Sequence, residues 1–498
     1  MNKKDLSKKI TNATKWSTIT EIIAKLIVPI TNMILARLLT PEAFGVVAAV
    51  NIILSFADML TDSGFQKYLI QHEFKNKKEE KDSINVAFWT NLSISVVFCA
   101  LIIAFCQPIA SWVGNPGLGE VVAVASFSLL LTALSSIQMA VYKRYFDFKT
   151  LFFVRIIGVF IPLIITIPLA LVGLSYWALI IGTLFGNLVS AILLTIRSQW
   201  KPSFFYNFLI LRKMFSFSIW SLAEAISIWA TTYIGTFIVA SSLSSYYLGI
   251  YNTTILTVNG ILAIATTAVT SVLFSSLSRL QKDDEEFKRV FLQFIRISSI
   301  AILPLGVGIF IYRELLTNIL LGNQWKEASL FVGLWGLVSS VTIIFGQYCS
   351  EVYRSKGKPK LSLLVQLLHL IALIPTLLIT VKFGFDALVY GRSLIKIQHI
   401  LVNWAVMYIV FKFSPFLMIK NVIPTMSSAV FMGFIAYILH QLGQGYIWDS
   451  MCILFCTIIY FLVLSRFSQG REDLKIILKN LKIPYKGSTD KRTSREIG

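Results

Sequence analysis

The feature that most constrains this sequence is the recurrence of long apolar stretches, fourteen of them along 498 residues. A helix needs about 20 residues to cross the hydrocarbon core of a bilayer, where only helices and closed barrels satisfy every backbone polar group. The stretches cover residues 16–39, 44–66, 84–106, 120–142, 151–172, 176–196, 214–240, 246–275, 290–312, 328–350, 361–381, 386–411, 421–440 and 446–465. They predict an all-α polytopic membrane protein with about 14 transmembrane helices and no room for a sizeable soluble domain.

The basic residues are distributed unevenly between the two sides of these spans. With the N-terminus in the cytoplasm, 36 Lys and Arg fall in cytoplasmic segments, whereas only Arg37, Arg313, Lys326 and Lys382 fall in the opposite loops. Cytoplasmic loops of membrane proteins collect Lys and Arg, so both termini are predicted to be cytoplasmic. The same distribution accounts for the net charge of +20 without nucleic-acid binding. The Lys-rich start lacks a cleavage-site pattern and is predicted to be retained.

Two short sequence matches indicate an internal repeat. Leu39–Val46 (LTPEAFGV) corresponds to Leu243–Ile250 (LSSYYLGI), and Ala178–Gly182 (ALIIG) corresponds to Ala387–Gly391 (ALVYG). Six spans separate the copies, so the two halves have the same orientation in the membrane. Transporters built from such repeats bind substrate near the midplane, where the repeats meet. The sequence therefore predicts two pseudo-symmetric six-helix bundles followed by two C-terminal helices.

The remaining segments complete the predicted organisation. The segment that joins the two halves contains aromatic residues beside basic ones, which is typical of an amphipathic connector on the membrane surface. Leucine and isoleucine recur at helical spacing in the basic C-terminal tail, which predicts an interfacial helix there. The expected units are an N-terminal lobe (1–198), the connector (199–213), a C-terminal lobe (214–412), an additional helix pair (413–465) and a basic cytoplasmic tail (466–498).

Polar residues at helical spacing mark the first two spans of each half. A charged side chain at mid-bilayer costs at least about 2.5–3.5 kcal/mol, so these faces are expected to turn toward a shared polar cavity. The predicted cavity or ion-coupling residues are Glu21, Asp58, Asp62, Glu224, Asn252 and Asn259. The alternative is that Lys25 pairs with Glu21 or Asp58 and that these ion pairs only fix helix packing.

The twelfth predicted span carries a basic stripe at steps of four, three and four residues, namely Arg392, Lys396, His399 and Asn403. A cation in a low dielectric attracts phosphate or carboxylate strongly. The predicted substrate-binding residues are Lys25, Arg296, Arg392 and Lys396. The alternative is that the stripe packs against Glu351 or Asp386 and serves structure alone.

Nothing in the sequence supports catalysis, a cofactor or a metal site. A nucleotide-binding loop is absent, and the four histidines are scattered without metal-ligand spacing. The five cysteines all lie in apolar segments and form neither a disulfide framework nor a ligand pattern. The sequence therefore predicts a protein that is not an enzyme and that needs no cofactor.

Several motifs, in order along the chain, carry a family resemblance. They are Ala36–Gly45 (ARLLTPEAFG), Asp62–Phe65 (DSGF), Leu69–Gln71 (LIQ), Gln138–Ala140 (QMA) with Arg144 and Phe148, and Tyr247–Tyr251 (YLGIY). Together they resemble the Wzx-type oligosaccharide flippases and polysaccharide exporters of the multidrug/oligosaccharidyl-lipid/polysaccharide superfamily. The chain is most similar to the colanic-acid and teichuronic-acid exporter branch, and the resemblance extends from about Lys8 to Arg466.

The resemblance implies a flippase of the bacterial cytoplasmic (inner) membrane. Such a protein carries undecaprenyl-diphosphate-linked oligosaccharide repeat units to the outer leaflet by alternating access, without ATP, for O-antigen, capsule or exopolysaccharide synthesis. The implied partners are this lipid-linked oligosaccharide, membrane lipids, H⁺ or Na⁺ as a coupling ion, and a polysaccharide polymerase complex.

The resemblance also bears on the site. In the superfamily the first, second, seventh and eighth helices commonly line the cavity, and related flippases bind the diphosphate through basic cavity residues. Here those four faces hold four acids and only one cation, Lys25. Diphosphate binding is therefore expected in the basic second half, and ion coupling in the acidic first half.

Two other functions compete with this interpretation. The acidic faces would suit a drug or cation exporter of the related multidrug-extrusion family. A membrane-embedded glycan polymerase or acyltransferase is less compatible with the sequence. Polymerases usually have a large outer loop with catalytic basic residues, whereas the longest outer loop of this chain, around Arg313 to Glu327, is small.

Overall fold

The computed structural model describes residues 16, 19–20, 23, 27, 29–62, 64–198, 200–443 and 445–480, and every regular element in this part of the chain is a helix. The first helix, α1, is described continuously over residues 29–38. The others are α2 (Pro41–Asp62), α3 (Phe65–Gln71), α4 (Lys77–Ala104), α5 (Cys106–Trp112), α6 (Gly119–Arg144), α7 (Phe148–Leu171), α8 (Ser175–Arg197), α9 (Phe208–Ser242), α10 (Ser245–Arg279), α11 (Asp284–Ile311), α12 (Arg313–Leu320), α13 (Ser329–Thr342), α14 (Tyr348–Ser355), α15 (Pro359–Thr380), α16 (Phe385–Phe411), α17 (Pro415–Leu442), α18 (Tyr446–Arg466) and α19 (Ser468–Asn480).

Thirteen helices of the described part are long and apolar enough to cross a membrane. They coincide with the second to fourteenth predicted spans, which confirms the predicted class of all-α, multi-pass membrane protein. The first predicted span, 16–39, is described only in part, continuously from residue 29. The tenth span, Asn323–Ser355, is composite, because α13 continues through a π-helical turn at Ile343–Gln347 into α14.

Helix starts on the predicted cytoplasmic side follow from local sequence. Asn76, Asp147, Asn207 and Asp283 precede α4, α7, α9 and α11, and each side chain accepts hydrogen bonds from backbone N–H groups of the first turn. Such caps stabilise a helix by about 0.5–2 kcal/mol. The helices α15 and α17 instead begin with proline, which lacks the N–H that would be unsatisfied there.

The two halves repeat the same arrangement of helices. Each half inserts a short helix, α5 or α12, after its third span. In the first half Gly182 of α8 packs on Thr166 of α7, and in the second half Gly391 of α16 packs on Thr380 of α15. These glycines are the repeat-related residues of the ALIIG and ALVYG matches. The close approach that each glycine permits therefore occurs in both halves.

The segment between the halves is held against α4. Residues 200–207 are irregular and lead directly into α9. Asn85 donates to the Ser203 hydroxyl at 2.8 Å, and the Trp89 indole donates to the Ser203 carbonyl at 2.9 Å. Trp200 is buried beside Phe88, with ring centroids 5.5 Å apart.

The C-terminal helices share the apolar core of the second half. The Tyr460 hydroxyl of α18 donates to the Ile300 carbonyl of α11 at 2.8 Å, and Gly433 of α17 lies against Val307 of α11. The helix predicted in the C-terminal tail is present as α19 and contacts α18 and α17.

Candidate functional site

The two halves meet where α2 crosses α10, at the end of the molecule that the Lys/Arg distribution predicts to be external. A Cβ at Gly45 would overlap the Ser245 carbonyl oxygen, and a Cβ at Gly249 would overlap the Pro41 carbonyl oxygen. Each added Cβ would also lie 3.0 Å from the backbone nitrogen of the other glycine. Gly45 and Gly249 are 204 residues apart, as are Pro41 and Ser245. The crossing is therefore a pseudo-twofold contact between repeat-related positions.

A loop of the second half extends this contact over the first half. The indole of Trp325 donates to the Ala36 carbonyl at 2.8 Å. The Gln324 amide donates to the same carbonyl and to the Leu39 carbonyl, the latter at 2.8 Å. The ring of Phe44 packs edge-on against Trp325, with centroids 5.3 Å apart.

The corresponding loop of the first half reaches the second half in a similar way. A Cβ at Gly114 would overlap the Ala240 carbonyl oxygen, and the Ser245 hydroxyl donates to the Asn115 side chain. Ala240 lies 204 residues after Ala36, so each loop contacts the repeat-related carbonyl of the other half. We call the contacts among residues 36–45, 114–115, 240–249 and 322–325 the outer seal.

A cavity of about 740 Å³ lies between the first half and α10, away from the outer seal. Gly260 on its wall is eleven residues beyond Gly249, about 16 Å along α10. The lining residues are Thr20, Pro29, Thr132, Ser135, Met139, Lys143, Phe148, Leu151, Val154, Arg155, Gly158, Val159, Asn187, Ser190, Leu194, Leu256 and Gly260.

A second recess of about 290 Å³ adjoins this cavity and shares Thr132 and Met139 with it. Its other lining residues are Asp58, Met59, Thr61, Gly64, Gln66, Lys67, Asn91, Ser136, Leu222 and Ala225. Asp58, predicted from sequence as a cavity residue, therefore lines the recess. The four spans predicted to line a shared cavity each contribute at least one described residue to this joined space.

The two sides of this joined space differ in polarity. Every polar side chain among its described lining residues comes from the first half. The second half contributes only Leu222, Ala225, Leu256 and Gly260. The wall that can hydrogen-bond to a cargo is thus formed by the first half within the described residues.

Two cations of the 740 Å³ cavity, Lys143 at the end of α6 and Arg155 on α7, lie on this polar wall. Neither has an ion-pair partner among the described residues. The nearby Asp147 instead caps α7 and accepts from both the amide and the hydroxyl of Thr150. Sequence reasoning did not select these two cations. The only sequence feature that could have marked them as candidates is their position, because each lies about two turns or less from the cytoplasmic end of a predicted span.

The predicted basic stripe of α16 lies inside the second half, against Trp335 of α13. The Lys396 ammonium lies 3.3 Å from the centre of the Trp335 ring and donates to the Ser339 hydroxyl at 2.5 Å. The Arg392 guanidinium lies 4.8 Å from the same ring and donates to the Tyr251 hydroxyl at 2.9 Å. Both predicted binding residues therefore have contacts within the bundle, and neither is among the lining residues of the cavity described above.

The same cluster includes one of the predicted cavity asparagines. The Trp335 indole donates to Asn259 of α10 at 3.1 Å, and the Asn259 residue itself is exposed. Asn252, which lies seven residues earlier on α10, is half-buried. Asn259 thus links an exposed face of α10 to the ring on which Lys396 and Arg392 rest.

Farther along the stripe, His399 of α16 meets His369 of α15 beside the π-helical turn. The rings of His369 and His399 lie 4.9 Å apart, and His369 exchanges a hydrogen bond with Gln398 at 3.0 Å. Gly346 in the π-helical turn lies beside His399 and Asn403. The glycine allows α16 to approach the turn closely, so this part of the stripe is a packing contact.

Arg296, the other predicted binding cation described by the structure, pairs with Asp473 of α19. Its guanidinium nitrogens lie 2.6 and 2.8 Å from the two carboxylate oxygens. Burial raises the pKa of the Asp473 carboxyl, an effect that Arg296 opposes. The sequence alone did not show this partner, because 177 residues separate the two side chains.

The structure also places Arg296 away from Lys396. Lys396 contacts Ser339, and the next residue, Ser340, packs on Gly306 of α11. Gly306 is ten residues beyond Arg296, about 15 Å along the helix. Arg296 and Lys396 therefore do not form one binding site.

For the remaining predicted site residues, the structure does not describe the side chains. Glu21 and Lys25 lie outside the described residues, so the predicted Lys25 pairs with Glu21 or Asp58 stay predictions. Asp62 ends α2 and Glu224 lies within α9, and their roles also stay predictions.

One motif residue of the family resemblance has a clear structural role. The Arg144 guanidinium at the end of α6 pairs with Glu80 at 2.8 Å and donates to the carbonyls of Leu69 and His72 at 2.7 and 2.9 Å. It also lies 4.5 Å from the centre of the Phe74 ring. Arg144 therefore holds the end of α3 against α4 and α6.

Comparisons with known proteins agree with this architecture. A family described as "Polysaccharide biosynthesis protein" matches residues 34–330. Among curated proteins, the chain is 20% identical to the lipopolysaccharide biosynthesis protein WzxC of Escherichia coli (strain K12), over 81% of each chain. It is 23% identical to the succinoglycan biosynthesis transport protein ExoT of Rhizobium meliloti (strain 1021), over 67% of each chain.

Two solved structures share the fold. An inward closed conformation of the lipid II flippase MurJ superposes with a TM-score of 0.75 at 14% identity, covering 93% of this chain and 99% of that one. An inward-facing multidrug resistance MATE transporter superposes with a TM-score of 0.57 at 13% identity, covering 79% and 96%. The predicted arrangement of two related bundles is thus that of a known transporter fold.

Proposed function

Because this chain belongs to the polysaccharide biosynthesis protein family, we propose that it is a flippase for a lipid-linked oligosaccharide. It acts in the bacterial cytoplasmic membrane with both termini in the cytoplasm, as the Lys/Arg distribution predicts. The cargo is a polyprenyl diphosphate that carries a short glycan. The names of the relatives WzxC and ExoT, and of the MurJ structure, support this class of cargo.

The observation that carries the proposal is the cavity of about 740 Å³ with cations and hydroxyl groups on one wall. Sugars bind through hydroxyl and amide groups, and a diphosphate binds through cations. Such a cavity replaces the water that a charged, glycosylated headgroup would lose on entering the hydrocarbon core.

The outer seal gives the proposal its direction. It lies at the predicted external end of the joined space, and a state closed there would receive cargo from the cytoplasmic side. Opening the seal while the cytoplasmic ends of the halves come together would expose the same wall to the outside. Energy for this exchange would come from a coupling ion, and Asp58 on the recess wall is a candidate for holding H⁺ or Na⁺.

The cluster around Trp335 has a different part in this proposal. Lys396 and Arg392 fix α16 to α13 and α10 through contacts inside the second half. We assign them a role in positioning these helices. Lys25, on the first predicted span, stays a candidate for direct contact with cargo.

A multidrug or cation exporter is the competing function. Of the described charged residues that line the joined space, Lys67, Lys143 and Arg155 are cationic, and Asp58 alone is acidic. A wall of this kind repels a cationic drug more than it attracts one. The described charges therefore favour an anionic cargo.

Reconstitution tests the function directly. Purified full-length protein is placed in phosphatidylcholine vesicles with a fluorescent undecaprenyl-diphosphate disaccharide, and the fraction that an external quencher reaches is followed over time. We expect faster transbilayer exchange than in protein-free vesicles and none for the cationic dye ethidium. Ethidium transport without exchange of the lipid-linked sugar would contradict the proposal and favour the drug exporter.

A further inference from the structure

We infer that Lys143 and Arg155 bind the diphosphate of the cargo, and that hydroxyl and amide groups deeper in the same wall bind its sugars. This inference rests on the proposed function. It adds the residues that hold the headgroup and the direction in which the headgroup lies.

The two cations are held by one packed contact among three helices. Tyr142 of α6, Val154 of α7 and Leu194 of α8 form a small buried cluster, in which the Tyr142 hydroxyl donates to the Leu194 carbonyl at 3.1 Å. Lys143 and Arg155 are the next residues after Tyr142 and Val154. Their backbones are therefore fixed relative to each other, while both side chains line the cavity.

The charges around the two cations favour an anionic ligand. No acidic residue lies among the described residues that line the 740 Å³ cavity. The acid nearest in sequence, Asp147, is bonded to Thr150, and Asp58 lines the adjoining recess together with Lys67. Two cations on one cavity wall, with no carboxylate among the described lining residues, suit a ligand with two linked phosphoryl groups. The guanidinium can form paired hydrogen bonds to one group, and the ammonium can bind the other as a point charge.

Helix positions set the order of groups along the wall. Lys143 lies one residue before the end of α6, and Arg155 lies seven residues, about 10 Å, into α7. Ser135 and Thr132 lie eight and eleven residues before Lys143, about 12 and 17 Å deeper. The cations are therefore near the predicted cytoplasmic end, and the hydroxyl groups lie beyond them.

The neighbouring helix α8 adds polar groups at the same levels. Ser190 lies seven residues before Arg197, the last residue of α8, which matches the depth of Arg155. A Cβ at Gly158 would lie 2.8 Å from the Ser190 hydroxyl, so α7 and α8 approach closely there. Asn187 lies one turn deeper. The cargo would thus enter with its diphosphate at the level of the inner-leaflet headgroups and its sugars toward the outer seal.

Binding measurements on the full-length protein test these assignments. Wild-type protein, Lys143→Gln, Arg155→Gln and the double variant are placed in phosphatidylcholine nanodiscs, and the affinity for a fluorescent farnesyl diphosphate is measured. We expect each single variant to bind three- to tenfold more weakly and the double variant at least tenfold more weakly. Lys149→Gln is the matched control, because Lys149 is exposed in the first turn of α7, close to both cations in sequence, and does not line the cavity. Lys143→Arg and Arg155→Lys keep the charge and should retain most of the affinity.

Competitors separate the sources of phosphate. Inorganic pyrophosphate should displace the probe from wild-type protein, whereas nanodiscs containing phosphatidylglycerol should weaken its binding less than twofold. Equal displacement by phosphatidylglycerol would overturn the inference, because the site would then be a general phospholipid contact. A second outcome is that the folded double variant binds the probe as tightly as wild-type protein does, while wild-type protein flips the lipid-linked disaccharide. This outcome would overturn the inference and leave the proposed function standing. Wild-type protein that neither binds nor flips would overturn both.

Discussion

Gly45 and Gly249 occupy the same position in the two halves, and each lies where the other's helix comes closest. Neither position has room for a Cβ, because the carbonyl of Ser245 or Pro41 fills it. The contact joins the halves without any charged side chain. At its centre the outer seal is therefore a direct contact between two backbones, which a methyl group on either glycine would separate.

Substitution of either glycine should open the outer seal. Gly45→Ala or Gly249→Ala forces the helices apart, with a cost of about 1–3 kcal/mol as for other overpacked sites. In a background without the native cysteines, Thr132→Cys on the cavity wall should then react faster with an impermeant thiol reagent added from outside. Gly308→Ala is the control, because nothing lies within 4 Å of its added Cβ. Equal reaction rates in all variants would contradict the role of the glycine crossing.

Covalent closure of the seal should stop transport. The Asn115 and Ser245 side chains are hydrogen-bonded across the two halves, so the cysteine pair Asn115→Cys and Ser245→Cys should crosslink on oxidation. We expect loss of lipid-linked sugar exchange in vesicles and its recovery on reduction. Each single cysteine variant should be insensitive to oxidation. Full exchange by the crosslinked protein would show that this end need not open.

Replacing Lys396 by methionine should leave transport within a few-fold of wild type. Methionine keeps much of the side-chain volume and its contact with Trp335, and replacing a buried charge by an apolar group is often neutral for stability. Exchange rates per folded protein and thermal unfolding in detergent measure the two effects. A folded Lys396→Met protein without exchange activity would restore Lys396 as a binding residue.

The Arg296 and Asp473 pair should stabilise the protein and leave cargo binding unaffected. Arg296→Gln or Asp473→Asn alone removes one partner of a largely buried pair and should lower the yield of folded protein. Exchanging the two residues should recover part of that yield. Farnesyl diphosphate binding, measured per folded protein, should be unchanged in all three variants. Weaker binding in Arg296→Gln alone would instead place Arg296 in the binding site.

Labelling tests the predicted sidedness. A single cysteine at Ser111, which is exposed on α5, should react with an impermeant reagent added to intact cells. A single cysteine at Gln281, exposed between α10 and α11, should react only after the membrane is opened. The reverse pattern would invert the orientation and with it the direction assigned to the outer seal.

Sequence patterns were sufficient for the fold because spans and repeats are local signals. Apolar length predicted the helices, and the match of Leu39–Val46 to Leu243–Ile250 predicted the parallel repeat, in which Gly45 and Gly249 hold equivalent positions. The relation of the two glycines to each other required the structure, since two equal positions in a repeat need not touch.

The candidate site was less predictable, because polarity on a helix does not show what that face contacts. Lys396 has helical spacing typical of a binding face, yet it rests on Trp335. Arg296 finds its acid 177 residues away in the tail. Lys143 and Arg155 looked like ordinary basic residues near the cytoplasmic surface, and only the packing of α6, α7 and α8 shows that they share a cavity.

The chemistry of the outer seal has a consequence for where this protein can work. Most of its contacts use carbonyl oxygens, glycines, amides and an indole, none of which titrates near neutral pH. Ions in solution screen charges and have little effect on such contacts. At the predicted external end, the glycine crossing and the Trp325 and Gln324 contacts should therefore hold equally well in dilute or saline, acidic or alkaline surroundings. The medium outside the cell would act instead through the charged groups around them, namely Arg37, which donates to the Ile319 carbonyl at 2.6 Å, and Glu42 and Glu327, which lie near Tyr246.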